Sequence, residues 1–131
     1  MNNRANRYDR TTKTLRWIAR IFGTLIVLLW LIVALAYGTL EPSELGAEDI
    51  MMAILVVGTT IGVLLAWKLE RIGGIITLLF GIAHSIFALF ASGHNHAFAM
   101  LISGGPFIVI GILFLIVSAR STRFKISQDS L

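Results

Sequence analysis

The sequence contains no cysteine and only two prolines, and charged residues make up just 14% of it. The missing thiols exclude disulfides, thiolate metal centres and cysteine nucleophiles, and they leave the redox compartment open. Soluble globular chains carry roughly 25% charged residues, so this chain has too little charge to cover a folded body in water. Positive charge is absent over two long stretches: no Lys or Arg occurs between residues 21 and 67 or between residues 72 and 119. A catalytic triad, a phosphate-cradling loop and paired carboxylates within an apolar run are also missing, so the chain is expected not to be an enzyme. No nucleic-acid motif accompanies its basic residues.

Apolar sequence fills the space, at 56% of 131 residues. Four runs stand out: Trp17 to Tyr37, Ile50 to Trp67, Ile72 to Ala91 and Ala97 to Ala119. Each is close to the length needed to cross a hydrocarbon core of roughly 30 Å as a helix. The second is short, and the turn ahead of Ile50 or the one after Trp67 would lengthen it. Because every backbone N–H and C=O must be satisfied inside lipid, and no alternating barrel pattern is present, helices are expected. The expected fold is all-α: a transmembrane four-helix bundle over residues 17–119, with spans near 17–37, 50–67, 72–91 and 97–119. A basic arm (1–16) and a basic tail (120–131) flank it. The connections are short, so consecutive helices should be antiparallel neighbours.

Placement of charge sets the expected orientation. The 11 Lys and Arg fall in the arm and the first turn of the span after it (Arg4, Arg7, Arg10, Lys13, Arg16, Arg20), at the second turn (Lys68, Arg71) and in the tail (Arg120, Arg123, Lys125). Loop one, with Pro42, instead holds Glu41, Glu44, Glu48 and Asp49. The positive-inside rule then puts both termini in the cytoplasm of a multi-pass cell-membrane protein, with Trp17, Tyr37 and Trp67 at the interfaces. The basic arm could lie on anionic lipid, at about 1 kcal/mol per cation, or serve topology alone. Ala34-Leu35-Ala36 resembles a signal-peptide cleavage site, but the basic region is long and the run is of full span length, so retention is expected.

Helices in lipid associate through small and polar residues. Gly74, Thr77, Gly81, Ser85, Ala88 and Ser92 share a stripe on the third span. Gly58, Thr59, Gly62 and Ala66 share one on the second. These stripes are expected to pack the monomer; the alternative is a homodimer through Gly58 and Gly62.

The polar residues within the spans are the candidates for chemistry. Arg20 and Glu70 both sit near the cytoplasmic border and are expected to pair, because an ionisable group at that depth normally finds a partner. The functional alternative makes Glu70 a proton or cation site. His84 stands alone in mid-span. It is expected to hydrogen-bond across helices, to Thr59 or Thr60, and the alternatives are a proton relay or a haem or metal ligand. His94-Asn95-His96 offers two imidazoles, whereas a firm metal site needs three or four ligands. Gly104-Gly105-Pro106 should kink the fourth span, or break it as in transporter sites.

Three segments carry a resemblance. They are Leu15-Arg16-Trp17-Ile18-Ala19-Arg20-Ile21-Phe22-Gly23, Trp67-Lys68-Leu69-Glu70-Arg71-Ile72-Gly73-Gly74, and Pro106 to Leu115 with Gly111-Ile112-Leu113-Phe114-Leu115. Together they resemble an uncharacterised family of small bacterial four-span membrane proteins, known as a domain of unknown function. Lys68-Leu69 stands inserted in the family's Trp-Glu-x-x-Gly-Gly turn, and the resemblance is not traced through the stretch from His84 to His96. The resemblance implies a fold and topology and no activity. The chain does not resemble the small multidrug transporters, which carry a carboxylate in mid-first-span, or the small fluoride channels. The leading expectation is a non-enzymatic accessory or assembly subunit, or a small homo-oligomer, partnered by the lipid bilayer and without cofactor. The alternatives are a small oligomeric channel or transporter with a path near His84, Thr59, Thr60 and the Gly104-Gly105-Pro106 break, or a metal- or haem-binding protein using His84, His94 and His96.

Overall fold

The computed structural model describes residues 2–40 and 46–129, with side chains placed for residues 10–36, 46–123 and 126. Glu41, Pro42 and Glu44 of the first loop lie outside the described residues, as do the side chains of Arg4, Arg7, Tyr37 and Lys125. The regular elements of the described residues are all helices: α1 (Asn2–Leu40), α2 (Ala47–Ala66), α3 (Glu70–Ala91), α4 (His96–Ser103) and α5 (Gly105–Asp129). Four stretches are long and apolar enough to cross a bilayer: Arg10–Ala36, Ala47–Ala66, Glu70–Ala91 and Gly105–Arg123.

The boundaries differ from the sequence reading at three places. The basic arm is not a separate segment, because α1 runs through it into the first span. Nothing in its composition stops a helix, since neither glycine nor proline occurs before Gly23. Likewise α5 carries the tail as far as Asp129. The fourth run is two helices rather than one. Pro106 has no N–H to offer the Ile102 carbonyl, and it is tolerated because it falls in the first turn of α5. Gly104 between the helices keeps right-handed backbone angles (φ −99°, ψ −26°). Its N–H reaches the Met100 carbonyl at 3.2 Å, and its own carbonyl accepts from Ile108 at 3.0 Å. The helical ladder therefore continues on both sides, and the Gly-Gly-Pro motif is a kink rather than an unwound break.

The connections are tight. α2 and α3 are joined through Trp67, Lys68 and Leu69. Between α3 and α4, Asn95 adopts the left-handed conformation at φ 56°, which asparagine tolerates better than most residues. At the start of α2 the Asp49 carboxylate accepts from the Gly46 N–H at 2.9 Å, half of a capping box.

The long helices form a ring in which α1 packs on α2, α2 on α3, α3 on α5, and α5 on α1; α4 packs on α3 and α5. The core runs along the axis through Ala19, Val27, Val63, Ala66, Phe107, Ile110 and Phe114. Glycines set how closely the backbones approach. A β-carbon at Gly62 would stand 2.8 Å from the Thr77 nitrogen, one at Gly111 2.8 Å from the Leu78 nitrogen, and one at Gly81 2.9 Å from the Ile108 nitrogen. At Gly58 it would fall within the ring of Phe80. Gly58 and Gly62 thus lie against α3 of the same chain, the monomer packing expected of these stripes, and that contact leaves no free face there for the alternative of a homodimer. The outward faces carry Leu25, Leu29, Ile32, Leu64, Leu79 and Leu101, all exposed. An apolar surface of this extent is at odds with water and suits lipid tails.

Candidate functional site

Two polar regions lie in or against the bundle. The first is at the end where the N-terminal half of α1, the α2–α3 turn and the C-terminal half of α5 meet. Helical spacing puts Arg16 and Arg20 on one face of α1, a turn apart. Glu70 opens α3, the end at which a helix dipole favours a carboxylate. Arg16 is the main partner of Glu70: its Nε forms an ion pair with Oε1, and an Nη2 bond of 3.3 Å reaches Oε2. The same Nη2 donates to Ser121 Oγ at 2.9 Å. One guanidinium therefore clasps α1, α3 and α5 together.

Arg20 stands 3.9 Å from Glu70. Its stronger bond is to the Trp67 carbonyl at 2.7 Å, and its guanidinium lies over the Trp67 ring, 5.6 Å from the centroid. The sequence reading therefore found the right carboxylate but missed Arg16 as its principal partner. Arg16 is the next position on the same face, so spacing marks it as a second candidate without choosing between the two. Beside this clasp lies a cleft of about 520 Å³, lined by Arg16, Arg20, Lys68, Leu69, Glu70, Arg71, Ile72, Ser118, Ser121 and Thr122.

The second region surrounds His84, which is fully buried. Its ring lies between Trp30 (centroids 5.2 Å apart) and Phe107 (5.6 Å). Nε2 lies 3.3 Å from the Met52 sulfur. Sulfur can only accept, so Nε2 is the donor and Nδ1 is left as the acceptor, buried and without a partner among the described residues. The expected bond to Thr59 or Thr60 is absent, for a local reason. Thr59 Oγ1 donates to the Leu55 and Val56 carbonyls at 2.9 Å, and Thr60 Oγ1 to the Val56 carbonyl at 2.7 Å. Hydroxyls on a helix return to their own previous turn when nothing better lies within reach. An apolar cleft of about 350 Å³ opens nearby, lined in part by Trp30, Met52, Phe87 and Ser103. Ser103 Oγ is also buried without a partner among the described residues.

The remaining candidates lie apart. His96 Nδ1 donates to the Leu89 carbonyl at 2.9 Å, with Ser92 Oγ at 3.1 Å, so it serves to cap the end of α3. His94 is exposed. Among the described residues no three His, Asp or Glu side chains gather where a metal ion would need them. Gly104 lies against Ser85 and the Gly81 carbonyl, and Ser85 Oγ donates to the Met100 carbonyl at 3.3 Å beside the kink. Gly105 and Pro106 are half-buried on the other side of the kink.

A ring of four long apolar helices, closed by glycine contacts inside and clasped by an Arg–Glu–Arg cluster at one end, defines the class: a four-helix bundle of the multi-pass membrane type. Within that class the chain belongs to the family described as a domain of unknown function, DUF7670, whose model it matches over residues 8–127. No curated protein and no solved structure matches it.

Proposed function

We propose that the protein is a non-enzymatic cell-membrane protein, with both termini and the α2–α3 turn in the cytoplasm, that acts as an accessory or assembly subunit or as a homo-oligomer. The observation that carries this reading is where the polar side chains are spent. Thr59, Thr60 and Thr77 bond to carbonyls of their own helices. Glu70 is held by Arg16 and Arg20, and His96 by the end of α3. These groups hold the fold together, which leaves the outer surface to act. The helix least covered by the others is α1, with 17% of its apolar stretch buried against 39% for α2.

One observation favours a second reading, a small oligomeric channel or transporter: the unpartnered His84 Nδ1 and Ser103 Oγ lie near the same cleft. Native mass spectrometry after gentle extraction from the source membrane separates the two. The accessory reading expects a different protein at fixed stoichiometry, and the homo-oligomer expects a multiple of the chain's own mass. A bare monomer contradicts both. In the second reading His84→Ala abolishes flux across vesicles while the helical signal survives.

A further inference from the structure

The cleft at the basic end carries more positive charge than its own carboxylate balances. Arg16, Arg20, Lys68 and Arg71 line it, against Glu70 alone. Arg16 and Arg20 are committed to Glu70, Ser121 and the Trp67 carbonyl. Lys68 and Arg71 are exposed, and among the described residues neither side chain has a hydrogen-bond or ion-pair partner. Two exposed cations without a partner among the described residues therefore line a cleft whose other cations are fixed in place. A guanidinium and an ammonium lining one cleft are chemically suited to a phosphate group.

The rim is also apolar. Leu69 and Ile72 line the same cleft and are each about half exposed (51% and 50%). Trp67 beside it (45% exposed) is the residue type that settles at the boundary between headgroups and acyl chains. A soluble phosphate compound would use the cations and leave Leu69 and Ile72 in contact with water. A phospholipid would use both, with its phosphate among the cations and an acyl chain along the apolar rim.

We propose that this cleft is a binding site for the headgroup phosphate of an anionic phospholipid, held mainly by Lys68 and Arg71, with Arg16 and Arg20 as the fixed background of charge. The clasp on Glu70 gives the site its shape: it fixes both arginines without neutralising the cleft.

The test uses the full chain in mild detergent, examined by native mass spectrometry with phosphatidylglycerol or with phosphatidylcholine of the same acyl chains. Phosphatidylglycerol is expected to remain bound under activation that strips phosphatidylcholine. Lys68→Gln/Arg71→Gln should weaken its retention roughly tenfold or more and leave phosphatidylcholine unchanged. Among the described residues neither side chain has a partner to lose, so the helical melting curve should not move. The control is Arg10→Gln/Arg123→Gln, which removes the same charge outside the cleft and should have a much smaller effect. Equal losses in the two double variants would mean diffuse attraction and overturn the site, as would equal retention of the two lipids. Glycerol phosphate, the headgroup chemistry without acyl chains, should fail to displace the lipid at millimolar concentration. Full displacement would make a soluble phosphate compound the ligand and overturn the lipid assignment.

Discussion

Gly104→Ala is expected to disrupt the bundle, whereas the same change at the next residue, Gly105→Ala, is expected to be tolerated. A β-carbon at Gly104 would collide with the Gly81 carbonyl and with Ser85, whereas one at Gly105 meets nothing nearer than Leu101 at 3.6 Å. The Gly81 carbonyl is backbone inside α3, so it has no rotamer to change and α4 must move away. Overpacking of this kind costs about 1–3 kcal/mol, and a collision with backbone belongs at or above the upper end. For a chain of this size that lowers the melting temperature by on the order of 10 °C. Gly105→Ala should instead hold or raise it, since alanine is the better helix former by up to about 1 kcal/mol. Circular-dichroism melting of the two variants in the same detergent reads the difference. Equal melting temperatures would mean that α4 does not approach α3 at Gly104.

The second large effect is expected at Glu70. Glu70→Gln leaves Arg16 and Arg20 facing each other without a counter-charge, both partly buried (side chains 31% and 21% exposed). Breaking a fully buried pair costs 3–5 kcal/mol, and solvent at this end reduces that to about 1–2 kcal/mol. A double-mutant cycle between Arg16→Gln and Glu70→Gln should show most of this as coupling. The parallel cycle between Arg20→Gln and Glu70→Gln should show little, because Arg20 donates chiefly to the Trp67 carbonyl. Denaturant melts of the variants read both cycles. The reverse ranking would contradict the clasp described here.

Much of the fold was legible in the sequence, because the solvent does the sorting. Runs of apolar residues as long as a bilayer is thick have few other uses, and the four runs anticipated each become a long helix or, in the fourth case, two. The side of α1 that meets Glu70 was legible as well, since helical spacing fixes which residues share a face. The turn along the axis at which they meet was not: Arg16 and Arg20 are equivalent by angle, and only the height of the α2–α3 turn selects Arg16. Small-residue stripes have a related ambiguity. The Gly58–Gly62 pattern announces a close contact without saying whether the partner is in the same chain, and the position of Phe80 decides it. The partner of His84 was illegible because Thr59 and Thr60 had a nearer acceptor in their own helix, while the Met52 sulfur is not a group that polarity patterns bring forward.

The clasp, the basic cleft and the proposed role all depend on one arrangement: the basic ends of α1 and α5 and the α2–α3 turn at one face of the membrane, and the α3–α4 connection at the other. The absence of cysteine allows this to be measured directly, since any single cysteine introduced is the only thiol in the chain. Cysteines placed one at a time at Lys68, Gly93 and Arg123 would be labelled in intact cells with a membrane-impermeant maleimide. The account predicts that only the Gly93 position reacts before the cells are opened, and that Lys68 and Arg123 react together after lysis. Reaction of Lys68 or Arg123 from outside, or protection of Gly93 alongside them, would contradict it.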